Sequence, residues 1–401
     1  MDMPLEGIKV VELSTWIVGP VASTILGECG ADVIKVENIE GGDTLRGLQS
    51  SGVNLGNVRH FWELCNRNKR GIAVNLKHEL GRKIIYQLLE KADIFVTNLR
   101  LGSLERLSLD YDSVNQLNPQ IIYAHASGYG PKGPDRDKPA FDEVAFWARS
   151  GIMSILGEPG TPPPPLRGAM GDLPTAALLA GNILLALFVR ERTGIGQQVT
   201  VSLLSAGMWV AGWDIQSALS TGQDIPRVSR KTIANPLYNT YQTKDEKWIQ
   251  FQMVQTDRYW SPLCRALGSE DLENDSRFDS HEKRCANSTL VISILDEVIA
   301  TKTRDEWVER FDGHDLVWAP VVTISEVIHD PQVLENEYVV NFDHPILGSL
   351  KLPAIPFQLS KTPLKPRSPA PEMGQHTEEV LLEIGYDWDD ITRFKYEGVI
   401  I

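Results

Sequence analysis

Over its first 130 residues the chain alternates short apolar runs with helical patterns, and that rhythm leaves few folds open. Ile8 to Leu13 reads as a strand, Val21 to Glu28 as a helix closed by Gly30, and Asp32 to Val36 as the next strand. Ile72 to Leu76, Ile94 to Val96 and Ile121 to His125 repeat the strand signature. Among them, His78 to Ala92 spaces Ile84, Ile85, Leu88 and Leu89 as one face of a helix does. Strand and helix in close alternation imply parallel strands joined by right-handed crossovers. The prediction is an open α/β sheet.

Four prolines, Pro162 to Pro165, must be extended and loop-like, since each fixes φ and lacks an N–H. A strongly helical run follows, from Gly171-Asp172-Leu173-Pro174-Thr175 to Arg192, with Gly194-Ile195-Gly196 as its stop. Asp172 sits where an N-cap belongs, and Pro174 falls in the first turn. Gln198 to Leu203 resumes a strand pattern. From about Val228 the character changes: Trp248 to Val254 is strand-like, and Asp257 to Leu267, Ser288 to Ala300 and Thr303 to Phe311 are helical. The chain is long for one domain at 401 residues. The expected layout is a Rossmann-like α/β large domain over 1–227, a smaller α/β domain over 228–318, and a return to the large domain over 319–401. The return includes a Pro-rich stretch from Pro353 to Pro371 and a late helix from Thr377 to Ile384.

Lys plus Arg number 39 against 53 Asp plus Glu, a net charge of −14, which argues against a nucleic-acid or anionic-membrane binder. A small anionic ligand needs only a local cation cluster and stays open. The N-terminus lacks a basic region followed by an apolar one, so no signal peptide is expected. The apolar stretch Leu178 to Val189 reads as too short to span a bilayer. Cys29, Cys65, Cys264 and Cys285 are scattered without metal-ligand spacing and read as reduced thiols of a cytoplasmic protein.

Asp172 is the candidate nucleophile: a carboxylate at a helix start is favoured as an anion by the dipole, and Gly171 beside it lets a substrate approach the backbone. An ordinary capping aspartate explains the same residues. Gly41-Gly42-Asp43, Gly128-Tyr129-Gly130 and Gly194-Ile195-Gly196 form neither a dinucleotide fingerprint nor a Walker A sequence, and read as turns and caps. No HExxH pair and no Ser-His-Asp order can be traced. His125 reads as a core histidine, and the ten tryptophans as core or interface residues.

Taken in order, LEGIKVVEL, GADVIKVE, NRNKRGIAVNLK, ADIFVTNLR, NPQIIYAHASGYGPKGP, KPAFDEVAFWARSG, GDLPTAALLAGNILLAL, GIGQQVTVSLL, APVVTISEVIHDPQ and GQHTEEVLLEIGY resemble the class III CoA-transferases. That group includes formyl-CoA:oxalate, crotonobetainyl-CoA:carnitine and cinnamoyl-CoA:phenyllactate transferases. The resemblance covers nearly the whole chain. It implies ring-shaped subunits threaded through one another as an interlocked dimer, with both termini in the large domain. It also implies transfer of CoA from a thioester to a free carboxylic acid through an aspartyl anhydride and an aspartyl-CoA thioester on Asp172. Coenzyme A is then a substrate, and no metal or other cofactor is expected.

Carried over residue by residue, Thr15, Trp16, Ile17 and Val18 match the loop that meets the CoA pantetheine and adenine regions. Val74, Lys77, Asn98, Leu99 and Arg106 match other members of that pocket, with Lys77 and Arg106 suited to phosphates. Three positions depart from relatives. Asn38 stands where formyl-CoA transferases carry an arginine. Phe141 and Asp142 stand where racemases of the same fold carry a His-Asp pair, and Phe141 cannot move a proton. A glycine-rich lid is replaced by Ala234-Asn235-Pro236-Leu237-Tyr238. Phe141, Asn235 and Pro236 are therefore expected to line an acyl pocket of the phenyllactate and 2-hydroxy-acid kind. Two other readings remain at this point: an acyl-CoA racemase or isomerase, and one subunit of a heteromeric transferase with a paralogous partner.

Overall fold

The computed structural model describes residues 3–51, 58–164 and 166–401, so Pro165, last of the four prolines, lies outside the described residues. The chain forms two compact units. The first comprises Met1–Met153, Pro165–Gln223 and Leu334–Ile401, and the second Ser154–Pro164 and Asp224–Val333.

The first unit is built on six parallel strands: β1 (Lys9–Leu13), β2 (Asp32–Glu37), β3 (Arg70–Ala73), β4 (Ile94–Thr97), β5 (Ile122–Ser127) and β6 (Gln197–Ser202). Their order is β3-β2-β1-β4-β5-β6. Strand order reverses between β1 and β4, and a crevice opens there beyond the strand C-termini, which is where open α/β sheets take ligands. Expected and observed strands agree within about two residues except at β3. That strand ends at Ala73 because Val74 leaves the ladder and bridges antiparallel to Ile400. The C-terminal segment thereby returns to the sheet. His376 accepts the Gly71 N–H at 3.1 Å, Thr377 Oγ1 accepts the Ala73 N–H at 3.1 Å, and Ile391, Phe394 and Val399 enter the core beside Ile84, Ile85, Leu88 and Leu89.

The helix Asp172–Thr193 corrects an expectation. With 22 residues and a mean hydropathy of 1.8 in its most apolar window, it is long and apolar enough to cross a membrane by length and composition. One face, including Thr175, Ala176, Leu179, Ala180, Ile183 and Ala186, is buried inside the unit. A hairpin of β10 (Val339–His344) and β11 (Gly348–Pro353), absent from the sequence reading, precedes the Pro-rich stretch.

The second unit has three antiparallel strands, β7 (Tyr238–Gln242), β8 (Trp248–Gln252) and β9 (Trp318–Val321), packed with helices Thr256–Leu267, Ser288–Ile299 and Arg304–Phe311. The expected α/β character is thus an antiparallel sheet with helices. Because β9 pairs with β8, the chain stays in this unit to Val333 and does not leave it at 319.

One buried charge network ties the first unit together. Glu12 on β1 and Lys35 on β2 are register partners and wholly buried. Lys35 Nζ lies 2.8 Å from Glu12 Oε1 and 2.9 Å from Asp43 Oδ2, and donates to the Ser14 carbonyl at 3.1 Å. Lys69, just before β3, reaches Glu12 Oε2 at 2.7 Å and donates to Pro20 O, Cys65 O and Asn66 Oδ1. Glu37 accepts the Asp43 N–H and two bonds from Arg46. Burial opposes the ionised form of Glu12, yet the two ammonium groups hold its carboxyl down to about 2. Three cations and three anions balance, so removing one leaves an uncompensated buried charge. Lys35→Met should therefore lower unfolding stability by about 3–5 kcal/mol, read from the denaturation midpoint. A loss below about 1 kcal/mol would show that the network tolerates the missing charge.

Candidate active site

Asp172 begins the long helix, but not as its cap. Gly171 is the N-cap residue and Asp172 the first helical residue. Its carboxylate makes no hydrogen bond or ion pair among the described residues. The capping explanation of this residue therefore fails, and the half-buried carboxylate is free to react.

What holds it in place lies one residue earlier. Asp142, 2% exposed, accepts the Gly171 N–H through Oδ2 at 2.9 Å. A Cβ on Gly171 would sit 2.2 Å from Asp142 Oδ1 and 2.3 Å from Phe146 Cγ, so only glycine fits this turn. Asp142 leads into a π-helical turn, Glu143–Ala148, a local widening common at functional sites. Burial raises the Asp172 carboxyl, and the neighbouring Asp142 and Glu143 charges raise it further, to about 7. The helix dipole works the other way but is outweighed. The result is a carboxylate poised between its two forms near neutral pH.

A cavity of about 230 Å³ opens at the strand C-termini, lined by Ser14, Thr15, Asn38, Asp43, Lys77 and Leu99 among others. Three of the carried-over residues, Thr15, Lys77 and Leu99, thus line one cavity. Asn98 holds its rim: its Oδ1 accepts the Thr15 N–H at 3.0 Å and its Nδ2 donates to Thr15 O at 2.6 Å. Trp16 adopts a left-handed backbone, φ 66°, at a cost of about 1–2 kcal/mol for a residue with a Cβ. Its ring packs edge-on against Phe141, centroids 5.5 Å apart, and Phe141 directly precedes Asp142. Cavity, Trp16, Phe141, Asp142, Gly171 and Asp172 thus form one run of contacts.

The other carried-over residues are placed differently. Ile17 and Val18 start the helix Val18–Glu28, with Val18 buried. Val74 is wholly buried in the hydrophobic core and lies outside the cavity lining. Lys77 is 78% exposed at the cavity mouth and pairs with Glu40 at 3.2 Å. Arg106 is exposed and donates to Ser103 Oγ. Asn235 and Pro236 belong to the second unit, where Asn235 bonds to Met253 O and the Leu237 N–H, and Pro236 O accepts from Tyr241. His125 is buried and its Nε2 meets Leu99 O at 2.9 Å, in keeping with a core role. The sequence reading missed the grip of Asp142 on Gly171 and dismissed Asp43 as part of a glycine turn. Asp142 was visible only as the first of two adjacent acids, Asp142-Glu143, after Phe141, while Asp43 carried no local signal.

Residues 5–377 match the profile of CoA-transferase family III. The chain belongs to CoA-transferase family III. It is 35% identical over 404 residues to the (R)-2-hydroxy-4-methylpentanoate CoA-transferase of Clostridioides difficile, covering 99% of this chain and 100% of that protein. It is also 35% identical to the cinnamoyl-CoA:phenyllactate CoA-transferase of Clostridium sporogenes, over 99% of this chain and 97% of the relative. A crystal structure of a CAIB/BAIF family protein from Brucella suis superposes with a TM-score of 0.83 at 28% identity, over 96% of this chain and all of that one.

For this CoA-transferase family III member the raised Asp172 carboxyl has a stability consequence. Its folded value, about 7, lies above the ordinary 3.8, so the fold penalises the ionised form. The penalty is absent below pH 4, grows as pH rises, and is full above pH 7. Asp172→Asn should therefore be more stable than wild type by roughly 2–4 kcal/mol at pH 8, with the gap closing towards pH 4. Thermal midpoints of both proteins across that range check this; a gap that does not change with pH would refute it.

Proposed function

We propose that this chain moves coenzyme A from an acyl-CoA thioester to a free hydrophobic carboxylic acid through covalent intermediates on Asp172. The observation that carries this reading is the carboxylate at the start of a core helix, non-capping and unpaired among the described residues, joined by contacts to the cavity at the sheet's switch point.

The chemistry balances without an added reagent. Ionised Asp172 attacks the thioester carbonyl, the C–S bond breaks, and CoA thiolate leaves an acyl-aspartyl anhydride. The thiolate then attacks the aspartyl carbonyl, forming an aspartyl-CoA thioester and releasing the donor as its carboxylate. The acceptor carboxylate attacks that thioester, expelling thiolate and forming a second anhydride. Attack of the thiolate on the acceptor's acyl carbon gives the new thioester and restores Asp172. Each step exchanges one activated acyl group for another. Lys77 and Arg106 are assigned to the CoA phosphates. The exposed Lys77–Glu40 pair is weak enough to yield to a phosphate.

The acceptor is assigned to the apolar class. Phe141, 56% exposed, and Trp16 offer aromatic surface next to the nucleophile, and each buried methylene of an acid would contribute about 0.8 kcal/mol. Asp142, Glu143 and Asp172 already place three carboxylates together, which disfavours a dianion. The names of the two bacterial relatives, acting on a branched 2-hydroxy acid and on phenyllactate, fit this assignment. A homodimer of interlocked rings is part of the same reading. Helices Leu203–Val210 and Gly212–Thr221 carry Trp209, Trp213 and Leu219 at 77, 90 and 76% exposed, an apolar surface that a second copy would cover.

Two outcomes follow for the chain purified alone. Asp172→Ala should abolish transfer with its fold intact by circular dichroism, and hydroxylamine added with acyl-CoA should modify Asp172 in the wild type only, read by peptide mass. Near-normal turnover by the variant would remove Asp172 from the mechanism. With one acyl-CoA donor, kcat/KM should be at least about tenfold higher for phenyllactate or 2-hydroxyisocaproate than for succinate or oxalate. A preference for oxalate would overturn the acceptor assignment while leaving the transferase reading in place.

A further inference from the structure

Asp43 follows Gly41 and Gly42, both left-handed at φ 86° and 67°, and this turn drives its carboxylate into the protein, where it is 1% exposed. Oδ1 accepts the Trp16 N–H at 3.0 Å and the Leu45 N–H at 2.9 Å. Oδ2 lies 2.9 Å from Lys35 Nζ, which Glu12 holds from the other side. Asp43 also lines the cavity that contains Thr15 and Leu99. A buried carboxylate fixed at both oxygens thus reaches one strained residue, Trp16, whose ring forms the contact between cavity loop and the Phe141-Asp142 turn. A tryptophan released from such a clamp relaxes to negative φ, because its Cβ disfavours the left-handed region. The ring then leaves Phe141.

We propose that Asp43 is a positioning residue of the transfer site, holding Trp16 in its left-handed conformation so that the wall between the CoA cavity and the Asp172 turn is formed before substrate arrives. The assignment rests on the CoA-transferase reading above. Asp43 touches no reacting atom and acts through Trp16. Its effect belongs in thioester binding, since a site formed in only a fraction of molecules binds more weakly by that fraction.

Steady-state kinetics with the purified chain, acyl-CoA and a carboxylic acid acceptor test this, together with backbone amide exchange at Trp16. Asp43→Ala should raise KM for the thioester about tenfold with kcat nearly unchanged, and the Trp16 amide should lose its protection. Asp43→Asn keeps an oxygen acceptor but loses the ion pair to Lys35, and should raise KM by a smaller factor. Trp16→Gly leaves the charge network alone and suits a positive φ, yet should raise KM by itself. In that background, adding Asp43→Ala or Asp43→Asn should change KM no further. This non-additivity separates positioning through Trp16 from a general loss of stability, and the Asn variant carries the test if the Ala variant does not fold. Full, independent effects of the Asp43 variants in the Trp16→Gly background overturn the proposal, as does a Trp16 amide unprotected in wild type. A wild type that transfers CoA while the Asp43 variants bind thioester normally removes Asp43 alone. A wild type that transfers CoA to no acid overturns the functional reading itself.

Discussion

Lys35 sits with no access to water between three carboxylates, and much of the first unit is arranged to make that tolerable. A lone ammonium there would be prohibitively unfavourable, so Glu12 faces it across the β1–β2 ladder, Asp43 closes on it from the glycine turn, and Lys69 balances the second oxygen of Glu12. Such clusters add little net stability compared with a well-packed apolar core, but they allow one geometry where hydrocarbon allows many. Here that geometry fixes the register of two strands and the path of the loop after β1. The cavity at the switch point has its walls set by the same contacts.

The proposed nucleophile depends on a different balance. A carboxylate that is stable where it sits makes a poor attacking group, and one with no partner needs the rest of the fold to hold it there. Asp172 has no partner of its own among the described residues, and burial together with two neighbouring carboxylates raises it to about 7. The 22-residue helix behind it, with one face packed into the core, supplies the rigidity. The bond from Gly171 N–H to Asp142 fixes the turn in front. Stability is thus given up at one position and recovered over a whole helix, a common arrangement at reactive sites. The two arrangements meet through the edge-on contact of Trp16 and Phe141.

Alternation of apolar runs with helical patterns determined the parallel sheet, because period and spacing are local properties that a few residues at a time express. The helix from Asp172 and its glycine stop were legible for the same reason. Three things were decided only by the tertiary structure. Val74 looked like strand interior, but its pairing with Ile400 depends on a segment more than three hundred residues away. Glu12 and Lys35 lie in two apolar runs, and their burial against each other follows from a register that neither run contains. Asp43 looked like a turn residue, and its inward carboxylate, Lys35 contact and hold on Trp16 exist only because β1 and β2 lie side by side. Local pattern specifies elements; which charge is buried against which, and which backbone is held in strain, is settled by packing between elements distant in sequence.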